Sequence, residues 1–407
     1  MSFAKCKYPV ESLKIVIFGA GKIGRSFIGQ LFGCSGYKIV FIDTDPVIVD
    51  GLNTRGSYQV IIKGEKEEEI KVPNVQAISA FERQKVIKAV STAGILAVSV
   101  GKSALEKVIP VIAAGLELRY NQNSDCPLDI IIAENMRDAG DFFREHLAGI
   151  LPKDYPLEKL VGLIETSIGK MVPIMTRDDL DKDPLMVYAE PYNTLILDRR
   201  GFKSPIPDVK GLAPKDNIKA WVDRKAFIHN LGHATAAYFG FSKHTEAIYI
   251  FEVLDDAEVY YFTRNVMLQS AEILQAAYPE DFRMNDLEDH IDDLLLRFRN
   301  RALQDTIYRV GHDLIRKLGS DDRFMGAVHL AAQIGMPYDK ILKAMLYGFY
   351  FKAKDEEGNI FMSDLVFMES LAKDFKMTLI KNLRFDPEAD NLIIEELRRL
   401  YMLNQQQ

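Results

Sequence analysis

The sequence has few of the residues that cross-link secreted domains or hold structural metals. Its three cysteines, Cys6, Cys34 and Cys126, are isolated from one another. Their spacing indicates neither a disulfide framework nor a zinc site, so we expect a reducing compartment, the cytoplasm. The seven histidines show no metal-ligand spacing such as H-E-x-x-H, and we predict that the protein binds no metal.

Long apolar runs and excess positive charge are also lacking. No stretch is apolar over the ~20 residues that span a bilayer, and the first residues lack the apolar core of a secretory signal. The net charge of −7 disfavours general binding to nucleic acids or anionic membranes. We therefore expect a small-molecule partner, no nucleic acid and no membrane. The sequence leaves the oligomeric state open.

Strand and helix signals alternate in the first half of the chain. Residues 15–18 form a continuous, largely β-branched apolar run, which is typical of a strand buried on both faces of a parallel sheet. Further strands are predicted at 38–42, 95–100, 128–133 and 161–165, with helices at 81–90 and 104–114 between them. This alternation predicts a doubly wound, Rossmann-type sheet. The proline-rich stretch 172–214 is predicted to add a β segment to this domain, which we place at residues 1–215.

The second half is predicted to be almost wholly helical, so the expected fold class is α/β followed by all-α. We place this helical substrate and catalytic domain at residues 216–407. Asp216 is predicted to cap a helix that ends at Gly240. Further helical patterns cover residues 251–278, 286–300, 323–334 and 390–403.

A glycine motif follows the first predicted strand. Gly19, Gly21 and Gly24 fit G-x-G-x-x-G, whose backbone amides hold a dinucleotide diphosphate at a helix N-terminus. Asp43 lies 19 residues after Gly24, at the end of the second strand. A carboxylate there accepts the ribose hydroxyls and repels a 2′-phosphate, so we predict NAD rather than NADP. The predicted cofactor-binding residues are Gly19, Gly21, Lys22, Ile23, Gly24 and Asp43.

Three polar residues of the second half share one helical segment. Lys225, Asn230 and His233 lie at offsets of zero, five and eight. On an α-helix, at about 100° per residue, they fall within an arc of roughly 140° and face one cleft. A lysine with a lowered pKa removes the proton of an alcohol, and Asn230 and His233 hold the resulting oxyanion. These three are the predicted catalytic residues.

The same segment resembles the polyol-specific long-chain dehydrogenases. Lys225, Asn230 and His233 fit that family's pattern K-x4-N-x2-H, and similarity extends over residues 14 to about 345. Further resembling stretches are 18–29, 52–60, 133–135 and 308–323. The resemblance implies a Rossmann-type domain, a helical domain and a metal-free mechanism in which lysine is the base.

The resemblance also implies substrate-binding residues in both domains. Asn135 matches a family asparagine near the substrate, and Arg309 and Lys317 match residues that contact it. With Arg316, they are the predicted substrate-binding residues, and Arg316, Lys317 and Arg323 would supply charge for a phosphate. The chain departs from the family at Gly169, where an acid is usual, and at 312–313, where Arg-Pro is usual.

The reaction expected from this resemblance is hydride transfer between NAD and a polyol phosphate, which converts mannitol 1-phosphate to fructose 6-phosphate. Alternatives within the family are oxidation of unphosphorylated mannitol at carbon two and reduction of tagaturonate or fructuronate. The alternative that is not an enzyme is a non-catalytic NAD-binding sensor. The intact set of Lys225, Asn230 and His233 argues against it.

Overall fold

The computed structural model describes residues 11–122 and 125–404, without the side chain of Ser12. The chain divides into two compact units, the first ending at Val222 and the second beginning at Asp223. The division lies seven residues beyond the predicted boundary at 215/216, within the helix Ile218–Arg224.

Strands in the first unit form two sheets within the described residues. The larger sheet has eight strands in the order β11-β10-β8-β7-β6-β1-β2-β5, and the smaller has the order β4-β3-β9. In chain order the strands are β1 Glu11–Phe18, β2 Lys38–Asp43, β3 Ser57–Lys63, β4 Glu67–Pro73, β5 Val75–Ser79, β6 Ala93–Val98, β7 Leu128–Ile132, β8 Val161–Ser167, β9 Val187–Ala189, β10 Leu195–Asp198 and β11 Leu212–Lys215.

The larger sheet is parallel except where β10 pairs antiparallel with β8. The chain runs from β1 outward to β2 and β5, then returns to β6 on the other side of β1. This reversal is the switch point at which doubly wound sheets bind ligands. Ile15 and Ile17 of β1 pack into one hydrophobic cluster, and Val16 and Phe18 pack into another on the opposite face. Burial on both faces explains the continuous apolar run.

Helices of the first unit connect and cover these strands. A helix over residues 22–34 follows β1 and contains a π-helical segment, Gly24–Gly29, before α1. The helices are α1 Gln30–Cys34, α2 Pro46–Arg55, α3 Arg83–Ser91, α4 Leu105–Gln122, α5 Ala139–Ile150, α6 Leu157–Leu160 and α7 Arg177–Lys182, with a 3₁₀ turn at Lys102–Ala104.

The described part of the second unit is helical. Its first long helix covers residues 218–243 and comprises α8, a π-helical segment Lys225–Asn230 and α9. The α-helices are α8 Ile218–Arg224, α9 Leu231–Lys243, α10 Ile250–Leu254, α11 Ala257–Ala277, α12 Met284–Phe298, α13 Ile307–Gly311, α14 Leu314–Lys317, α15 Met325–Ile334, α16 Asp339–Gly348, α17 Met362–Lys373, α18 Phe375–Leu383 and α19 Asn391–Asn404, and Arg301–Leu303 is a 3₁₀ turn. No helix in the described ranges is both long and apolar enough to cross a bilayer.

Two of the helix boundaries that differ from their predictions have a clear local cause. The helix predicted to stop at Gly240 continues to Lys243, because Gly240 lies against Val253 of α10, where a side chain would clash. This glycine therefore permits close helix packing and does not end the helix. The helix predicted over 251–278 breaks because Asp256 caps α11 through a hydrogen bond from the Glu258 amide to its carboxylate (2.7 Å).

The two described cysteines differ in exposure. Cys34 is free and exposed. Cys126 is buried.

Candidate active site

The glycine turn after β1 packs against the loop after β6. Gly19 has a φ of 93°, and a β-carbon on it would clash with the carbonyl oxygen of Ser99. A β-carbon on Gly24 would clash with the carbonyl oxygen of Gly19. Backbone atoms cannot move aside as a flexible side chain can, so both positions require glycine.

Gly21 differs from the other two glycines because space is open around it. No heavy atom lies within 4 Å of the position that its β-carbon would occupy. Gly21 and Lys22 are exposed, and Lys22 begins the helix over residues 22–34. An open backbone turn at a helix N-terminus fits the diphosphate of a dinucleotide. Ile23, which is also predicted to bind the cofactor, is partly buried beside the core of the first unit.

Asp43 lies at the end of β2, beside this turn. Its Oδ2 accepts a hydrogen bond from the Ala20 amide (2.6 Å), and its Oδ1 accepts one from the Asp45 amide (3.0 Å). Each carboxylate oxygen has a second lone pair, so Asp43 retains the capacity to accept from ribose hydroxyls. The residues present therefore fit an adenosine dinucleotide.

Asn135 lies on the loop after β7 and is exposed. The preceding residue, Glu134, accepts hydrogen bonds from the amides of Val100 (2.7 Å) and Gly101 (3.0 Å). Because Val100 and Gly101 follow β6, Glu134 ties the Asn135 loop to the loop beside Gly19. Asn135 and the glycine turn thus share the carboxyl edge of the sheet.

Packing does not explain why Gly169 stands where the resemblance leads us to expect an acid. A β-carbon there would make only ordinary contacts, the nearest 3.6 Å from the Tyr192 ring. Packing therefore does not require glycine. The neighbouring Lys170 is buried and donates a hydrogen bond to Oδ1 of Asn193 (2.8 Å).

Lys225 and Asn230 are the first and last residues of the π-helical segment in the second unit. The Leu231 amide donates to the Ala226 carbonyl, the five-residue step that defines a π turn. Such a turn places residues five apart on one side of the helix. Lys225 and Asn230 therefore lie on one side, and His233 follows three residues later, one α-turn along.

The pKa of the Lys225 amine is lowered to about 8. Burial among protein atoms is the largest cause because it disfavours the charged amine. The positive charge of Arg323 lowers the pKa further, and Asp322 acts in the opposite direction. Arg323 also donates from Nη1 to the Asn230 carbonyl (3.3 Å), so it belongs to the same cluster.

His233 is held in a neutral form beside a carboxylate. Its ring stacks on Phe298, with ring centres 4.3 Å apart and planes 5° apart. Burial, followed by the charges of Arg309 and Arg323, lowers its pKa well below the usual range. Its Nε2 lies 3.4 Å from Oδ2 of Asp305, yet neither buried atom makes a hydrogen bond within the described parts of the chain.

Arg309 and Lys317 lie close to His233. The Arg309 guanidinium pairs with Asp305, and 46% of the Arg309 side chain remains exposed. Lys317 is buried, and its Nζ donates to the Val310 carbonyl (2.6 Å). Burial and the charge of Arg323 lower the pKa of Lys317 to about 7.

Arg316 has a different environment from Arg309 and Lys317. Its side chain is 52% exposed and donates from Nε to Asp313 (2.5 Å), with Asp322 3.6 Å from Nη1. These two carboxylates offset its charge. The structure thus brings Lys225, Asn230, His233, Arg309 and Lys317 together and places Arg316 at their periphery.

One member of this cluster, Asp305, is absent from the predicted site residues, and Arg323 was predicted only as a source of charge for a phosphate. Asp305 carries a weak signal in the sequence, because an acid four residues before Arg309 is the spacing of a helical ion pair. No sequence signal predicts that Arg323 lies beside Lys225. Its proximity to Lys225 arises only when the segment before α15 packs on the π turn.

Known protein families match both halves of the chain. The Mannitol dehydrogenase Rossmann domain matches residues 13–211, and the Mannitol dehydrogenase C-terminal domain matches residues 217–384. Among solved structures, the ternary complex of Pseudomonas fluorescens mannitol 2-dehydrogenase with NAD and D-mannitol is similar, with a TM-score of 0.72. That match covers 97% of this chain and 93% of that chain at 15% sequence identity, so it concerns the fold.

A second solved structure, the complex of D-mandelate dehydrogenase with NADH, has a TM-score of 0.46 and 13% identity. It covers 83% of this chain and 98% of that chain, and a score this low adds nothing to the assignment.

A Rossmann domain followed by a helical domain, both matched in sequence, defines an oxidoreductase. The chain belongs to the mannitol dehydrogenase family, since the two matches together cover most of its length. The predicted fold class and the predicted family are thereby confirmed.

Proposed function

We propose that the protein is an NAD-dependent mannitol-1-phosphate 5-dehydrogenase that interconverts mannitol 1-phosphate and fructose 6-phosphate. The main support is Lys225, whose amine has a pKa of about 8 beside Asn230 on the π turn. An amine with this pKa gains and loses protons near neutral pH, as a general base and acid must. The reaction needs no metal.

In the oxidising direction, Lys225 removes the proton of the substrate hydroxyl. The glycine turn and Asp43 would hold NAD, which would supply the hydride acceptor for C5 of the polyol phosphate. The Asn230 amide and the neutral His233 ring donate hydrogen bonds to the oxygen as it gains negative charge. In the reducing direction, Lys225 returns its proton to the carbonyl oxygen of the sugar phosphate. Asn135 is the substrate-binding residue proposed in the first unit.

The substrate phosphate is assigned to the cations beside His233. Arg309 has exposed guanidinium surface, and Lys317 and Arg323 add charge within the same cluster. A guanidinium has five donors, so Arg309 can bind a phosphate while it pairs with Asp305. Arg316 adds charge from the periphery of the cluster.

NAD is assigned to the first unit, through the glycine turn and Asp43. The open backbone at Gly21 accommodates the diphosphate, and Asp43 accepts the ribose hydroxyls. The Pseudomonas fluorescens family member was solved with NAD and D-mannitol, which supports the same cofactor and a polyol substrate here.

The alternatives within the family are unphosphorylated mannitol and the uronates. The cation cluster favours an anionic substrate over free mannitol, and a uronate carboxylate would also suit Arg309. A non-catalytic NAD-binding sensor accounts less well for the low pKa of Lys225, since a sensor has no need of a general base.

The decisive experiment is NADH oxidation by the purified protein, followed by absorbance, with fructose 6-phosphate, fructose, tagaturonate and fructuronate as substrates. We expect a strong preference for fructose 6-phosphate and for NADH over NADPH. The Lys225→Ala variant should lose about 10²- to 10⁴-fold in kcat because the general base is gone. Lys219→Ala, on the exposed face of α8, is the matched control and should keep wild-type kcat.

Turnover of only fructose or a uronate would overturn the phosphate assignment and retain the lysine base. NADH binding without turnover of any of these substrates would favour the sensor.

A further inference from the structure

Asp305 occupies a rigid position beside the predicted catalytic residues. Its carbonyl accepts a hydrogen bond from the Ile250 amide (2.9 Å), and the Ile307 amide donates to the Ile248 carbonyl (2.8 Å). An antiparallel bridge between Tyr249 and Thr306 lies between these bonds. The backbone on both sides of Asp305 is therefore fixed, and its side chain is only 5% exposed.

The two carboxylate oxygens of Asp305 face two different groups. Oδ1 pairs with the guanidinium of Arg309, and Oδ2 lies 3.4 Å from Nε2 of His233. The contact with Nε2 does not meet hydrogen-bond geometry, so both atoms remain unsatisfied although they are buried. Leaving two such atoms unpaired costs free energy, which indicates that a bound group completes their hydrogen bonding.

We propose that Asp305 is a positioning residue that sets the tautomer of His233 and the direction of Arg309. A carboxylate beside Nε2 favours the neutral ring with its proton on Nε2. Because the contact with Oδ2 is long and bent, that N–H remains available to donate to the substrate oxygen. Oδ1 meanwhile holds Arg309 towards the anionic end of the substrate. The role rests on the proposed function, although its effect on the ring does not require a substrate.

The charged groups around the His233 ring are Arg297, Arg309, Arg323 and Lys317, with His229 and Lys225 nearby on the same helix. Asp305 is the carboxylate that faces the ring from the segment before α13. Burial and the four cations keep the ring uncharged at neutral pH. The neutral ring therefore carries a single proton, on Nδ1 or on Nε2.

The test is the Asp305→Asn variant of the full chain, labelled with ¹⁵N-histidine. The two ring nitrogens give distinct ¹⁵N shifts when protonated and unprotonated, and a His233→Gln variant assigns the signals. In the wild type we expect protonated Nε2. In Asp305→Asn the amide keeps its oxygen towards Arg309 and turns its NH₂ towards Nε2, so the proton should move to Nδ1. The kcat should fall by roughly 10²-fold or more, as when a histidine is held in the wrong tautomer.

Two further variants make the test specific. Asp305→Glu keeps the carboxylate, so it should retain protonated Nε2 and at least a tenth of the wild-type kcat. Asp256→Asn alters a carboxylate that pairs with another histidine, His244 (2.7 Å), and should change neither the His233 shifts nor kcat.

An unchanged tautomer in Asp305→Asn, with any loss of kcat, would overturn the proposal and leave Asp305 a structural residue. If Asp305→Asn does not fold, loss of the Nε2 proton in Asp305→Glu would overturn it equally. A shifted tautomer in a protein that turns over none of the tested substrates would refute the proposed function and leave the action of Asp305 on the ring intact.

Discussion

Lys225 and Arg323 form a pair of like charges whose interaction can be measured. As a base, Lys225 must be unprotonated, so kcat for polyol phosphate oxidation should rise with pH through about 8 and then level off. Arg323→Gln removes a positive charge that lowers the pKa of Lys225. The pKa should therefore rise, and the inflection of the kcat profile should move to higher pH.

The measurement is the pH dependence of kcat at saturating substrate. Arg299→Gln removes a cation that pairs with Asp255 at the surface, and its profile should coincide with that of the wild type. An inflection that stays in place in Arg323→Gln would mean that Lys225 does not titrate in the catalytic step.

At the scale of residues, the sequence predicts side chains that follow a local spacing pattern. It misses side chains that only the tertiary fold brings together. Lys225, Asn230 and His233 follow a recognisable spacing, and the structure places them on one continuous helix. Asp305 comes close to His233 only because its backbone is fixed against residues 248–250. No local pattern encodes that long-range contact.

Both π-helical segments of the described chain include predicted site residues, Gly24 in one and Lys225 with Asn230 in the other. The prediction that Lys225, Asn230 and His233 share one helix face assumes α-helical periodicity. In the structure, the π turn puts Lys225 and Asn230 on one side through a different geometry. A π turn holds about one residue more than an α turn, so it acts as a single-residue insertion. Nothing in the sequence 225–230 marks this insertion.

Deletion of Ala226 therefore tests the π turn itself, because it removes the inserted residue. The deletion should convert residues 218–243 into a continuous α-helix and leave the flanking segments in register. We expect a folded protein with a helical circular dichroism spectrum and a kcat within about tenfold of the wild type, because Lys225 and Asn230, then four residues apart, still share one side of an α-helix. Deletion of Ala236, a buried residue of α9, rotates all that follows and should prevent folding. A kcat at least about 10²-fold lower in the folded deletion variant would show that catalysis needs the π turn itself.

The central strands were predictable because they are buried on both faces, whereas the edge elements were not. β4 is mostly exposed and rich in charged residues, so the alternation of apolar and polar residues is weak. The β3–β4 hairpin therefore gave no strand prediction. The prolines of residues 172–214 indicated an irregular β segment, and β9, β10 and β11 lie there. Pairing partners of such short strands depend on the whole sheet.

At the scale of the molecule, the two units allow cofactor binding to be observed separately from catalysis. The single tryptophan, Trp221, belongs to the first unit, where Lys215 lies 3.9 Å from its ring centre and its carbonyl accepts from Ser167 (3.0 Å). Its fluorescence therefore reports unfolding of the unit to which NAD is assigned.

In urea denaturation followed by Trp221 fluorescence, NAD at about 100 times its Kd should stabilise this unit by about 2.7 kcal/mol. NADP at the same concentration should stabilise it less, because Asp43 repels the 2′-phosphate. Asp43→Ala should reduce the difference between the two cofactors, whereas Asp50→Ala, on the exposed face of α2, should preserve it. Equal stabilisation of the wild type by both cofactors would contradict the role of Asp43.

The three glycines of the turn are subject to two different kinds of selection. Gly19 and Gly24 are fixed by the backbone atoms that surround them, so any descendant that keeps this turn must keep both. Nothing in the fold restrains position 21, where only a bound cofactor would meet a new side chain. A lineage that lost its cofactor would therefore let position 21 drift first, while the other two glycines continued to record the fold.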